Sequence, residues 1–328
     1  MKVLFIGGTG TISSACIRPA MERGFKVYVF NRGNRNDILP PEVVQIKGDI
    51  SDEHNSRKAL EAYRFDIVVD WVAFTTDHIE RDIRLFSGKT GQFIFISSAS
   101  AYQKPPGSFW ITESTPLHNP YWEYSRNKRA CEQRLIDEYR QKGFPVTIIR
   151  PSHTYGNTMI PSIFDGGFTI MDRMLKGKEI IVPGDGTSRW VVTHNTDFAK
   201  GFTGLLANQA AIGEAFHITS QEALTWDQIH KTIGYHLGVT PMIRHIAADF
   251  IVKQLPEFEG PLKGDKIHSV YFDNSKVKRL VPDFICTTPF VLGAEQTIRF
   301  HNEYPVYKKV DDQLNAKLDA VLSAYDNQ

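Results

Sequence analysis

Val3-Leu4-Phe5-Ile6-Gly7-Gly8-Thr9-Gly10-Thr11-Ile12-Ser13 joins an unbroken apolar run to a glycine-rich turn, and residues 12–23 beyond it have helical length and periodicity. Strand, turn and helix follow in that order. Glycine permits the tight turn and lets backbone N–H groups approach an anion, whose charge is favoured at the positive end of the helix that follows. Between a first strand and a first helix, such a turn points to the pyrophosphate of a dinucleotide. Ser13 stands where a third glycine is often found, and it is small enough to preserve close helix–strand packing. Pro19 is expected to kink the helix.

Further apolar runs, KVYVF (26–30), VVQI (43–46), DIVVDWV (66–72), QFIFIS (92–97) and VTII (146–149), alternate with longer amphipathic stretches such as 123–142. Continuous rather than alternating apolar character indicates strands covered on both faces, hence a parallel sheet flanked by helices. The fold class is therefore α/β, a Rossmann-type doubly wound parallel sheet, with a smaller C-terminal α/β substrate-binding domain. After Gly156 the pattern loosens into Gly- and Pro-bearing loops with shorter strands at 179–182, 190–193 and 215–218. The expected division is 1–155 for the dinucleotide-binding domain, with 190–235 returning to it, and 156–189 with 236–328 for the smaller one. Residues 326–328 are expected to fray.

Composition excludes several classes. With 328 residues and 41% hydrophobic content the chain can bury a substantial core. Its 38 Lys and Arg nearly balance 37 Asp and Glu, so there is no global basic field for nucleic acid or anionic membranes. Cys16, Cys131 and Cys286 are too few and too far apart for a disulfide scaffold or a zinc cluster. His153, His194 and His217 lack ligand spacing, so no metal is expected. No apolar stretch approaches the roughly 18 residues of a membrane helix, and the early apolar run leaves no room for a signal peptide. A cytoplasmic protein is expected, with a homodimer admitted as its assembly.

The second apolar run ends in Phe30-Asn31-Arg32-Gly33, with Arg35 just beyond. Sites that choose NAD usually place an acid here for the ribose hydroxyls, whereas an arginine accommodates a 2′-phosphate. The choice leans toward NADP(H) over NAD(H), unless Arg32 and Arg35 are only solvated loop charges. Asp49, after the third run, is placed either for the adenine amino group or for capping the next helix.

Tyr124, Lys128, Cys131, Leu135 and Tyr139 lie along one helical stripe. Cys131 and Leu135 mark that stripe as buried, so Lys128 sits where a structural helix would prefer an apolar residue. A cation near a phenol favours the phenolate, which would make Tyr124 a usable general base. Alone the pair is a weak motif. Upstream, however, the run 92–97 ends in Ser97-Ser98-Ala99-Ser100-Ala101-Tyr102 and places hydroxyls at the C-terminal edge of the sheet, where open α/β proteins bind ligands. There Ser98 would orient a reacting carbinol or carbonyl.

GGTGTIS after the first run, SSASAY after a central one and YSRNK (124–128) on the following helix together resemble the extended short-chain dehydrogenase/reductase superfamily, the NAD-dependent epimerase/dehydratase group. The similarity continues through Arg150-Pro151, Tyr155-Gly156, Arg189-Trp190-Val191-Val192 with Asp197, and Asp273-Asn274-Ser275-Lys276. It implies that Ser98, Tyr124 and Lys128 are catalytic. It implies a cofactor set of Gly7, Gly10, Thr11, Ile12, Asn31, Arg32, Arg35, Asp49, Ile50, Ala73, Tyr124 and Lys128. On the substrate side it places Ser98, with His153 and Tyr155 after the sixth strand, and Arg189, similar in placement to an arginine that contacts substrate phosphate or else a structural ion-pair partner.

The departures narrow the chemistry. Dehydratases of this group carry an Asp-Glu pair after the catalytic hydroxyl, and here Ala99 and Ser100 stand instead, which disfavours dehydration. Gln103 replaces a usual glycine, and Asn157 a frequent proline, so a standard sugar-nucleotide pocket is not assumed. The layout of 66–74 and of the loop around Trp110 is also similar to the subgroup of chloroplast stem-loop RNA-binding proteins, whose members can lack the tyrosine-lysine pair; this chain keeps it. The loop 104–122 is either a lid over the reacting centre or a packed surface loop. The resemblance implies a small-molecule carbohydrate, foremost a nucleotide sugar, epimerised by reversible hydride transfer. Net reduction or oxidation is the alternative, and a regulatory or RNA-binding role the third.

Overall fold

The computed structural model of the protein describes residues 1–35, 38–165 and 167–327. Its large sheet contains strands β1 (Lys2–Ile6), β2 (Lys26–Asn31), β3 (Val44–Lys47), β4 (Ile67–Asp70) and β5 (Gln92–Ile96). After the two-residue β6 (Trp110–Ile111) come β7 (Val146–Pro151), β8 (His153–Tyr155), β9 (Ile180–Pro183), β10 (Arg189–His194) and β11 (Ala215–Ile218). The order across the sheet is β11-β7-β5-β4-β1-β2-β3, and every pairing is parallel. The doubly wound sheet expected from the apolar runs is therefore present, and its direction of winding reverses between β1 and β4.

The physical reason lies in two buried faces. Val3, Phe5, Val27, Val29, Ile67 and Val69 pack with Cys16, Ile17, Phe198 and Phe202, whereas Leu4, Ile6, Tyr28, Phe30 and Val68 pack with Ile79, Ile83, Cys131 and Leu135. The first set meets helices α1 (Thr11–Glu22) and 195–205; the second meets α2 (Glu53–Leu60), α3 (Thr76–Phe86) and α4 (Glu123–Lys142). Each such side chain contributes about 1.5–3 kcal/mol on burial, which favours apolar residues on both faces of the strands. Helix α1 runs on through Pro19, which lies in its last turn, where only a few residues of helix remain to be disturbed.

The apolar run 66–72 stops being a strand at Asp70. Its carboxylate accepts hydrogen bonds from the N–H groups of Val72 (2.5 Å) and Ala73 (2.8 Å), turning the chain across the strand end. Arg81 holds the other carboxylate oxygen at 3.0 Å.

A second core gathers Trp190, Trp226, Phe164, Leu262, Ile298 and Leu318 over the strand ends. It includes a three-stranded sheet in which β10 pairs in parallel with β8 and antiparallel with β12 (Ala223–Thr225). Within 190–235, helix Asn195–Leu205 and β11 lie on the large sheet, while β10, β12 and helix Trp226–Leu237 build this second layer. The C-terminal helix Asp312–Asp326 is ordered to its end, and Gln328 lies outside the described residues. Among the described residues, no helix is long and apolar enough to cross a membrane.

Candidate active site

The glycine turn sits at the point where the winding reverses, the place at which open α/β sheets bind ligands. Gly7 and Gly8 have φ of +103° and +89°, which L-residues adopt only with strain. A Cβ on Gly8 would come within 3.0 Å of both Val29 methyls, so the chain cannot widen there without moving β2. The first turn of α1 holds no acidic side chain, leaving its N-terminal amides to an anion. Ser13 does more than preserve packing, because its Oγ accepts from the Gly10 N–H at 3.0 Å. Asn195 donates to the Thr11 carbonyl at 2.7 Å and ties the turn to the end of β10.

At the end of β2, Asn31 donates to the Gly7 carbonyl (3.4 Å) and accepts from the Gly33 N–H (2.8 Å), so it braces the turn. Arg32 and Arg35 are exposed, and Arg35 borders a groove beside Thr9, Gly10 and Thr11. Asp49 does not cap α2. That cap is Asp52, which accepts from the Asn55 N–H at 3.0 Å. Asp49 instead closes a turn on Ser51, whose hydrogen bonds, helped by Arg32, hold its carboxyl below the usual range.

Lys128 is 2% exposed. Its Nζ donates to the carbonyls of Ala73 (2.7 Å) and Ile96 (2.8 Å), at the ends of β4 and β5, and lies 4.6 Å from the centre of the Phe74 ring. Burial pulls the ammonium down to about 8. Tyr124, four residues earlier, shares a cavity wall with Ser98, whose hydroxyl acts to lower the phenol's pKa. Ser98 Oγ stands 2.9 Å from Ser100 Oγ and caps a short turn over Ala99–Ala101. Ser125 donates to Ser100 Oγ at 2.8 Å.

The expected effect of the lysine on the phenol is not what the structure shows. Burial pushes Tyr124 above its usual value, the Ser98 hydroxyl opposes this, and Asp265 adds to it. The ammonium is directed to two carbonyls and sits 5.7 Å from the Tyr124 ring centre.

A cavity of about 270 Å³ opens on these hydroxyls, bordered by Ile12, Ser98, Tyr124, His153, Trp190 and Asp265 among others. Ile12 brings the glycine turn to its wall. His153, expected on the substrate side, is there; burial and nearby Lys266 push its imidazole well below the usual range, so it is neutral. Tyr155 does not line this cavity. It is fully buried against His194 and Phe290 in the second core, because β8 turns it away from the strand ends. Arg189 is exposed and also outside the cavity lining; its neighbour Trp190 faces it instead. From the loop 104–122 the cavity takes only Trp122, and Asn119 pins that loop by donating to the carbonyls of Ser100 (2.8 Å) and Gly264 (2.7 Å).

Beneath the site, Ser97 donates to Glu132 at 2.5 Å, and Arg150 donates to the same carboxylate through Nε (2.9 Å) and Nη2 (2.6 Å). Sequence reasoning missed Glu132, Asn119, Trp122 and Asp265 as parts of the site. Glu132 carried a signal, a charge four residues beyond Lys128 on the same face; Asp265 carried none.

Residues 3–219 match the model of the NAD dependent epimerase/dehydratase family, and the chain belongs to that family. It is an enzyme of the extended short-chain dehydrogenase/reductase superfamily. Over 286 residues it is 23% identical to the 2′-dehydrokanamycin reductase of Streptomyces kanamyceticus, covering 87% of this chain and 80% of the relative. It is 28% identical to the chloroplast stem-loop binding protein of 41 kDa b of Arabidopsis thaliana, over 70% of this chain and 61% of that protein's length. Among solved structures, the dTDP-glucose 4,6-dehydratase of Bacillus anthracis in complex with NAD aligns over 94% of this chain and 98% of its own, with a TM-score of 0.76 at 18% identity.

Proposed function

We propose that this protein moves a hydride between a nicotinamide dinucleotide and one carbinol carbon of a carbohydrate. Tyr124 handles the hydroxyl proton, Ser98 orients the oxygen, and Lys128 stands at the nicotinamide end. One juxtaposition carries the reading: Ser98 and Tyr124 on the wall of one cavity, beside a fully buried ammonium, at the strand ends next to the glycine turn. Burying an ammonium is costly, and packing α4 does not require one.

The residues fit the dinucleotide. Gly7 and Gly8 take backbone angles and a close packing that a side chain would strain, and α1 offers N-terminal amides without a competing acid. The amides of Thr11 and Ile12 would hold the pyrophosphate, with Gly10 forming the turn beneath it, Asn31 and Arg32 the adenosine ribose, Asp49 and Ile50 the adenine, and Ala73 and Lys128 the nicotinamide half. Two exposed arginines and no acid after β2 support NADP(H). When bound, the dinucleotide gives or takes the hydride.

The likeness to a reductase over most of the chain supports net reduction. Epimerisation of a nucleotide sugar is the second reading, favoured by the family's name. It would bring a pyrophosphate, and Arg189, the residue expected to meet it, stands outside the cavity. An RNA-binding role, which the chloroplast relative's name raises, gives no reason for the buried Lys128.

The test is transfer of deuterium from 4-deuterated NADPH into a panel of keto sugars, followed by mass spectrometry. Tyr124→Phe should lower turnover about 10²–10⁴-fold, the usual contribution of a positioned acid or base, while NADPH binding by fluorescence stays of the same order. Undiminished turnover by that variant would remove Tyr124 from the reaction.

A further inference from the structure

Buried carboxylates in this protein are met by donors. Asp70 accepts from two backbone N–H groups and from Arg81, Glu132 from Ser97 and twice from Arg150, and Asp197 from Lys200 and the N–H groups of Thr287 and Thr288. Asp265 is the exception at the cavity. Its side chain is 18% exposed, and among the described residues its nearest cation is Lys104 Nζ at 3.6 Å, an ion pair beyond hydrogen-bond reach. No described residue donates a hydrogen bond to its carboxylate. Lys104 offsets the charge without occupying the acceptor sites.

Asp265 lies on the same cavity wall as Ser98, Tyr124, His153 and Trp190. A carboxylate left without donors carries an unmet acceptor, and acceptor sites open to a cavity mark a place completed by a hydrogen-bonding ligand. None of the residues lining this cavity is lysine or arginine. A phosphate would find no cation there. The volume, about 270 Å³, lies just below the roughly 300–1,000 Å³ of pockets that enclose drug-sized ligands, which suits one sugar ring rather than a ring with its nucleotide.

We propose that Asp265 is a substrate-binding residue that accepts hydrogen bonds from hydroxyl or ammonium groups of an unphosphorylated carbohydrate. This rests on the hydride-transfer reading of the site and names its substrate class. The geometry relative to Ser98 is held by Asn119, which bonds at once to the Ser100 carbonyl of the serine turn and to the Gly264 carbonyl next to Asp265. Trp122 seats itself on Gly260 and Gly264, where a Cβ would collide with its ring, and so fixes the same turn from the other side.

The experiment is calorimetric titration of the NADP(H)-loaded full chain with D-glucosamine, with methyl β-D-glucoside and with UDP-glucose, in the natural protein and in Asp265→Asn. Both simple sugars should bind, UDP-glucose should gain nothing over the glucoside, and Asp265→Asn should weaken the simple sugars about 10–100-fold, the worth of a charged hydrogen bond. A greater loss for the amine or for the neutral sugar supports the proposal either way and names the donor. The proposal fails if neither simple sugar binds, if UDP-glucose binds far more tightly and ignores Asp265, or if Asp265→Asn, shown folded by an unchanged melting curve, binds as the natural chain does. Binding needs no turnover, so a failure of Tyr124 as the acid leaves this result readable on its own.

Discussion

Replacing Lys128 with methionine should make the protein's stability less dependent on pH between about 8 and 10.5. The ammonium ordinarily titrates at 10.5, and burial at 2% exposure draws it down to about 8. Between those values the unfolded chain still holds a proton that the folded chain has released, so stability rises with pH. The contribution is complete above 10.5 and lost as pH falls to about 8. At about 1.36 kcal/mol per pH unit, the interval amounts to about 3 kcal/mol that the natural protein gains and the methionine variant does not. Loss of the bonds to the Ala73 and Ile96 carbonyls shifts the variant's curve by a roughly constant 1–3 kcal/mol per carbonyl left unmet, without changing the slope. Urea unfolding of both proteins across this pH range measures the difference, in which all other titrating groups cancel. Parallel stability profiles would show that Lys128 keeps its proton when folded, and would refute the cost assigned to its burial. The variant should also lose turnover at every pH.

Arg32→Ala should weaken NADPH binding about 10–100-fold, the worth of a hydrogen bond to a charged group, and leave NADH nearly unaffected; fluorescence titration with both cofactors checks this, and equal effects would detach Arg32 from the 2′-phosphate. Glu132→Ala removes the partner of Arg150 and of Ser97, leaves a buried guanidinium unpaired, and should cost about 3–5 kcal/mol, read as a lower urea midpoint at unchanged m-value.

The fold was legible because each strand is covered on both faces. The body of a strand such as 67–69 is then apolar at every position, a requirement that local sequence displays without knowledge of its neighbours. The glycine turn was legible for a similar reason: the φ values of Gly7 and Gly8 restrict the residue type at those positions. Ser98, Tyr124 and Lys128 could be brought together on paper because a strand end and the first turns of the next helix are neighbours in any doubly wound sheet.

The direction of the Tyr124 shift could not be read in the same way. Spacing on α4 places an ammonium near a phenol, but whether the charge serves the phenol depends on competing acceptors, and the carbonyls of Ala73 and Ile96 come from two other strands. Tyr155 and Arg189 were assigned by order along the chain, and the pairing of β8 with β10 at Tyr155 and of β10 with β12 at Arg189 leaves both outside the cavity lining.

The amino-acid sequence by itself thus determined the sheet, the glycine turn and the candidate hydroxyls, since strand burial, glycine φ and helical spacing all act between residues close along the chain. Only the tertiary structure decided what faces those hydroxyls. Asp265, Asn119 and Trp190 come from separate segments, and it is the packing of the second core over the strand ends that brings them beside the serine turn.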